Sequence, residues 1–226
     1  MYAMILAAGR GERMRPLTDT LPKPLLCVDD KPLIVYHLEK LAAFGIKNII
    51  INQAWLGHKL PELLGNGQQW GVNIEYIDEG ARALETAGGI KNALPSLKSD
   101  CFIVVNGDIW TDFDLADLPK TLPEGTLAHL VMVNNPSHNV TGDFSLQNER
   151  LMEVGANKKT FAGIGVYRHQ LFDLVDSDVA ALGPILRQAI GAQQIQGQLF
   201  NGKWTDVGTP ERLALLEQQL SNEIIR

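Results

Sequence analysis

The sequence predicts one α/β domain spanning residues 1–226: three layers, α/β/α, around a mostly parallel central sheet, with a smaller antiparallel part in its second half. Three observations predict it. Short β-branched runs alternate with stretches of helical spacing from Tyr2 to about Leu97. A loop rich in glycine and arginine follows the first apolar run. Beyond Thr126 the helical stretches give way to short extended pieces separated by Asn, Gly and Lys. The change divides the chain at about residue 125 into halves of about 1–125 and 126–226.

In order, Tyr2 to Ala8 reads as a buried first strand and Leu25 to Val28 as a short extended segment. Asp29-Asp30 ahead of Pro32 suits the first turn of a helix, which runs to about Phe44 and is stopped by Gly45. Lys47 to Asn52 is too short for a helix and apolar enough for a central parallel strand. A helix from about Leu56 to Leu64 and a third strand from about Asn73 to Ile77 repeat the unit. Such alternation implies right-handed crossovers. Another helix ends near Leu97, and Cys101 to Val105 is the most apolar strand, ending in Asn106-Gly107-Asp108. Asp112 to Leu115 is expected to open a further helix, whose N-terminus favours acidic residues.

In the second half, Leu127 to Val133, Asp143 to Leu146, Leu151 to Val154 and Thr160 to Val166 read as extended and antiparallel. A helix near Val179 to Ile190, a strand from Ile195 to Phe200 and a last helix capped by Thr209, with Pro210 in its first turn, close the chain. No hexapeptide repeat follows, so no second domain is expected.

A formal charge of −6 argues against nucleic acid as a partner, and no apolar run is long enough for a bilayer. A cytoplasmic protein is expected. Cys27 and Cys101 sit among apolar neighbours and read as buried free thiols, and the five histidines lack metal-ligand spacing.

The positive charge is local. Between Leu6 and Pro24 the chain gathers Gly9, Gly11, Arg10, Arg13, Arg15 and Lys23 against Glu12 and Asp19. Glycines without Cβ atoms let backbone N–H groups turn toward an anion, and the cations add fixed charge, which is the composition of a polyphosphate cradle. It is not a dinucleotide fingerprint, because Met14 stands where a third glycine belongs and Pro16, Pro22 and Pro24 forbid an uninterrupted helix. Nor does Gly202-Lys203-Trp204 complete a P-loop.

Gly-x-Gly-x-Arg followed by Pro-Lys-Pro resembles the nucleotide-gripping loop of the sugar-1-phosphate nucleotidyltransferases. The resemblance implies a Rossmann-like nucleotide-binding half and a sugar-binding half carrying a small antiparallel lid. It implies a nucleotide set of Gly9, Gly11, Glu12, Arg13, Lys23 and Glu79, the last standing where the family often has Gln. A glutamate there accepts from uracil or from guanine, so the position alone leaves the base open.

Asp108, at the tip of a central strand behind a glycine, is well placed to ligate a metal, and it resembles the family's magnesium aspartate. Trp204-Thr205-Asp206-Val207-Gly208-Thr209 resembles the second metal-binding segment, which makes Asp206 the partner ligand for Mg²⁺. The implied catalytic set is Arg13, Lys23, Asp108 and Asp206. Asn106, Asp143 and Gly163 are the sugar candidates. Many relatives carry Glu-Lys-Pro where this chain has Glu153-Val154-Gly155, which leaves open whether Lys158 or Lys159 replaces that lysine.

The implied reaction joins a sugar 1-phosphate to a nucleoside triphosphate with release of pyrophosphate. Ile51 to Gly57, Leu84 to Gly89, Val105 to Asp112 and Gly142-Asp143-Phe144 look like the uridylyltransferases of this family that act on N-acetylmuramate 1-phosphate, which makes UTP and that sugar phosphate the expected substrates. Mannose-1-phosphate guanylyltransferases and glucose-1-phosphate nucleotidyltransferases use the same loops. A silent nucleotide-sugar-binding subunit is disfavoured by the presence of Lys23, Asp108 and Asp206.

Overall fold

The computed structural model describes residues 1–80 and 83–224. Its first half contains β1 (Tyr2–Leu6), β2 (Cys27–Val28), β3 (Lys31–Pro32), α1 (Leu33–Ala43), β4 (Asn48–Gln53), α2 (Lys59–Leu64), β5 (Asn73–Asp78), α3 (Glu85–Ala93), β6 (Cys101–Asn106) and β7 (Ile109–Thr111). The second half adds β8 (Ala128–Val133), β9 (Ser145–Gln147), β10 (Arg150–Met152), β11 (Thr160–Arg168), α4 (Leu182–Gly191), β12 (Ile195–Phe200), β13 (Trp204–Asp206) and α5 (Pro210–Ile224).

One nine-stranded sheet runs β5-β4-β1-β6-β11-β8-β12-β10-β9. Strands β5, β4, β1 and β6 are parallel, β11 enters antiparallel between β6 and β8, and β12 returns parallel to β8. The antiparallel pieces of the second half therefore continue the same sheet, with the β9-β10 hairpin at its edge.

Strand periodicity explains the three layers. Ala3 and Ile5 point to one face with Ile49, Ile51, Ile103 and Val105, where α1 and α2 cover them. Met4, Ile50, Phe102 and Val104 point to the other, under α3 and α4. Both faces of the central strands are buried, so they read as continuous apolar runs. A third cluster, Met14, Val28, Leu33, Val207 and Leu216, packs α5 against the β2-β3 hairpin.

Several local expectations change. Leu25 belongs to a 3-10 turn, and extended structure starts only at Cys27. Asp29 and Asp30 lie outside α1, both with positive φ, at the tip of the two-residue β2-β3 hairpin loop. Paired positive φ values match the right-handed strand twist, and Asp tolerates them. Cys27 is exposed, because a short hairpin strand turns alternate side chains outward; Cys101 is buried as expected. The helix expected after Asp112 is a single turn, Leu115–Asp117, in which Asp114 accepts from Ala116 N at 2.9 Å. Leu118 precedes Pro119, and the proline ring pushes it out of the helical region. Asp143 precedes β9 instead of lying in it, and Phe144 makes one isolated bridge to Lys159. Among the described residues no helix is long and apolar enough to cross a membrane.

Candidate active site

The parallel strands end in line. Leu6 of β1 is level with Asn52 of β4 and Asn106 of β6, so the loops that follow converge on one crevice. Asn52 is buried and bridges two of those loops: its Oδ1 accepts from Ala7 N at 2.8 Å, and its Nδ2 donates to Glu79 Oε1 at 2.6 Å. Glu79 Oε2 also accepts from Leu84 N at 3.1 Å. Glu79 is thus a tied carboxylate that shapes the loop after β5; residues 81 and 82 of that loop lie outside the described residues.

The loop after β1 is three 3-10 turns, Glu12–Met14, Leu17–Asp19 and Lys23–Leu25. Met14 is buried as its anchor. Gly11 has φ 65°, and an added Cβ would lie 3.0 Å from the Thr18 methyl. Thr18 Oγ1 donates to Gly11 O at 2.8 Å, and Trp55 Nε1 donates to Thr18 O at 3.0 Å while its ring carries the Arg10 guanidinium at 4.5 Å. Gly9 lines a cavity of about 210 Å³ together with Lys23, Glu79, Asn106 and Asp108. Gly11, Glu12 and Arg13 do not line it, and Arg13 is exposed on the outer turn.

Lys23 and Asp108 form an ion pair at the base of that cavity. The lysine side chain is 10% exposed and the aspartate 37%, so the pair opens to solvent through the carboxylate. Gly107 makes the approach possible: its N–H donates to Leu6 O at 2.9 Å, and a Cβ there would stand 2.7 Å from that oxygen.

Asp206 reaches Asp108 through a device absent from the sequence reading. The strand β7, immediately after Asp108, pairs antiparallel with β13, setting Asp206 opposite Ile109, and Val207 N donates to Asp108 O at 2.8 Å. Arg212, one turn into α5, donates to Asp206 Oδ2 at 2.6 Å. His138 Nε2 is 2.8 Å from Asp206 Oδ1 and also 2.8 Å from Arg212 Nη1. One ring nitrogen cannot donate to the carboxylate and accept from the guanidinium at once. With its lone pair turned to Arg212, it leaves Oδ1 a buried acceptor without a donor.

The Asp206 carboxylate, whose Oδ1 has no partner but the His138 ring nitrogen, and the half-open Asp108 carboxylate fit a hard cation. No group of three or more metal-ligating side chains is found among the described residues. Two carboxylates suit Mg²⁺, which keeps water and phosphate oxygens in its remaining positions.

A second cavity, about 330 Å³, adjoins the first and shares Thr86 and Asn106 with it. Gly163 lies in a bulge of β11 with φ 76°, and a Cβ there would be 2.7 Å from Asn106 Nδ2. Asp143 fixes the same bulge, its Oδ2 accepting from Phe161 N at 2.8 Å and its Oδ1 from Asn139 Nδ2 at 3.2 Å. Trp204 Nε1 donates to Ala162 O at 2.8 Å. Lys159 Nζ donates to Asn134 Oδ1 at 2.9 Å, and neither Lys158 nor Lys159 lines the cavity. The cavity wall instead carries Arg187.

The partition between the cavities comes from α3. Ala87 N and Gly88 N both donate to Ala180 O, at 2.8 and 3.1 Å, while a Cβ on Gly88 would be 2.2 Å from Asp178 O. A Cβ on Gly89 would be 2.4 Å from Glu79 Oε1. The glycine pair thus serves close packing on both sides of the helix. Asn52, His138, Arg187 and Arg212 escaped the sequence reading. Only Asn52 carried a signal, a polar residue closing a buried strand.

Known proteins resemble this chain in sequence and fold. A family model described as nucleotidyl transferase matches residues 2–144. N-acetylmuramate alpha-1-phosphate uridylyltransferase of Neisseria meningitidis is 52% identical over 220 residues, covering 94% of this chain and 95% of that protein. UTP–glucose-1-phosphate uridylyltransferase of Synechocystis is 31% identical over 78% of this chain and 51% of its own length. Among solved structures, a Bacillus anthracis protein assigned as a glucose-1-phosphate thymidylyltransferase superposes with TM-score 0.83 at 21% identity, covering 97% of this chain and 95% of that one, which shows the shared fold. The glycine-rich loop, the Gly-Asp strand tip and the parallel sheet that joins them all lie inside the matched region, and the chain belongs to the nucleotidyl transferase family.

Proposed function

We propose that this chain transfers the uridylyl group of UTP to N-acetylmuramate 1-phosphate, forming UDP-N-acetylmuramate and pyrophosphate in a cytoplasmic step of peptidoglycan recycling. The observation that carries this reading is the 52% identity, nearly end to end, to a relative named for that activity. The Lys23–Asp108 pair supports the chemistry.

An oxygen of the sugar phosphate attacks the α-phosphorus, and the bond to the β-phosphate oxygen breaks. The attacking oxygen of the sugar phosphate is already ionised near neutral pH, so no general base is required. The barrier lies in charge repulsion and alignment, which positioning and fixed charge lower. Asp108 and Asp206 would hold magnesium, which would supply charge neutralisation on the phosphate oxygens. Lys23 stabilises charge on the α-phosphate, and the backbone at Ala8 and Gly9 faces the phosphates. Arg13, on the exposed side of the same loop, is left for the departing pyrophosphate. Glu79, held by Asn52, fixes the wall of the cavity where the base lies. Asn106, between the two cavities, orients the sugar phosphate, with Gly163 giving it room and Asp143 holding the bulge below.

The test is pyrophosphate release with UTP, GTP, CTP and dTTP against the 1-phosphates of N-acetylmuramate, N-acetylglucosamine, mannose and glucose. UTP with N-acetylmuramate 1-phosphate is expected to give the highest kcat/KM, and turnover is expected to vanish when magnesium is removed. Preference for GTP with mannose 1-phosphate would sink the assignment. No turnover with any pair would favour a binding subunit.

A further inference from the structure

The second cavity carries a cation that the transfer chemistry does not use. Arg187 of α4 lines the cavity together with Asn106 and Asp143. Its guanidinium lies 5.9 Å from the centroid of the Phe144 ring. A Cβ on Gly183 would stand 3.2 Å from Nη1, so the glycine leaves the guanidinium room against the first turn of the helix. The Phe144 ring and the Cβ-less Gly183 both border the guanidinium, whose fork of N–H donors can face an anion.

Its partner is a loose one. Glu153 Oε1 is 3.5 Å from Arg187 Nε, and the two side chains are 51% and 48% exposed. A pair of that length and exposure contributes little stability, so a better-placed anion displaces it at small cost. Asp143, the carboxylate of the cavity wall, is committed to Phe161 N and Asn139.

The anion is not the reacting phosphate. That group must meet the nucleotide beside Lys23 and Asp108, which line only the first cavity, whereas Arg187 lines only the second. An anion at Arg187 is therefore carried elsewhere on the sugar. We propose that Arg187 receives a carboxylate substituent of the sugar, making it the specificity residue for an acidic sugar 1-phosphate. The proposal rests on the functional reading above and deepens it. The lactyl ether of N-acetylmuramate supplies such a carboxylate, and N-acetylglucosamine is the same acetamido sugar without it. A fork of N–H donors matches a carboxylate in two parallel bonds, a geometry that a lysine ammonium does not offer.

Steady-state kinetics of the wild type, Arg187→Met, Arg187→Lys and Glu153→Gln with both sugar 1-phosphates tests this. Arg187→Met is expected to raise KM for N-acetylmuramate 1-phosphate about tenfold to a hundredfold with kcat little changed, and to leave the N-acetylglucosamine 1-phosphate reaction as it was. The latter activity also reports that the variant is folded. Arg187→Lys should recover part of the loss, and Glu153→Gln should lower KM for the acidic sugar alone. Equal effects of Arg187→Met on both sugars, or no effect on either, overturn the proposal. If the wild type itself releases no pyrophosphate with N-acetylmuramate 1-phosphate, the functional reading has failed and this inference falls with it. A turning-over wild type with an indifferent Arg187→Met removes this inference alone.

Discussion

The two cavities are built by different means. The first lies where parallel strands end, and its walls come from short stretches just after those ends: Leu6 to Gly9 with Lys23 and Pro24, Glu79 with Ala83, Glu85 and Thr86, and Asn106 with Asp108. The second is assembled from the tip of β6, a bulge in an antiparallel strand, the segment before β9 and the first turns of α4. The first is tied by half-buried bonds between side chains, Asn52 to Glu79 and the Lys23–Asp108 pair, while the second is held mainly by side chains bonding the β11 backbone. On the proposed function, the contrast teaches that the reacting end of the substrate meets a pre-formed frame, and the variable end a surface that side chains can retune.

The largest expected effect is chemical. Asp108→Asn, Lys23→Met and Asp206→Asn should each lower kcat by about 10²–10³ or more with melting temperatures retained, since each removes fixed charge from the transition state. Full activity in any of them would remove that residue from the site and weaken the picture of a pre-formed frame.

The frame is also expected to be acid-sensitive. Burial lowers the His37 pKa from 6.5 to about 4, opposed by its hydrogen bond with the Ile109 backbone beside Asp108. Between those values the unfolded chain takes a proton that the folded chain refuses, so stability falls as pH drops through that window, by about 3 kcal/mol. Denaturant melts from pH 7 to pH 4 should show this slope, and His37→Gln should flatten it. An unchanged slope would mean that other groups set the acid limit.

Gly88→Ala probes the partition between the cavities. Backbone at Asp178 blocks the added Cβ, so a loss of about 1–3 kcal/mol is expected, with KM raised for both substrates because Thr86, two residues earlier on the same helix, lines both cavities. A variant as stable as the wild type would show that the 178–180 segment yields freely.

The smallest effect is expected at the sugar end. Asp143→Ala leaves Phe161 N without its acceptor and should cost about 1–3 kcal/mol at most. KM for the sugar phosphate should rise and KM for UTP should not. A rise in the latter would show that the bulge supports both cavities and would blur the contrast.

The sequence by itself determined the three-layer α/β class, the parallel core from Tyr2 to Asn106, the stop at Gly45 and the Thr209 cap. Local periodicity and glycine placement carry those signals within a few residues. It also marked Asp108 as a charge at the end of an apolar run, and Lys23 and Asp206 through motifs that resemble the family's loops. Only the tertiary structure decided that Asp206 stands beside Asp108. That contact depends on the pairing of β7 with β13 across some ninety residues, and three-residue strands have no periodicity to read. The same holds for the place of β11 between β6 and β8, for Arg187 on the wall of the second cavity and for the commitment of Glu79 to Asn52. Those positions follow from how the sheet is ordered and packed, and sheet order is a property of long-range contacts that no short stretch of sequence contains.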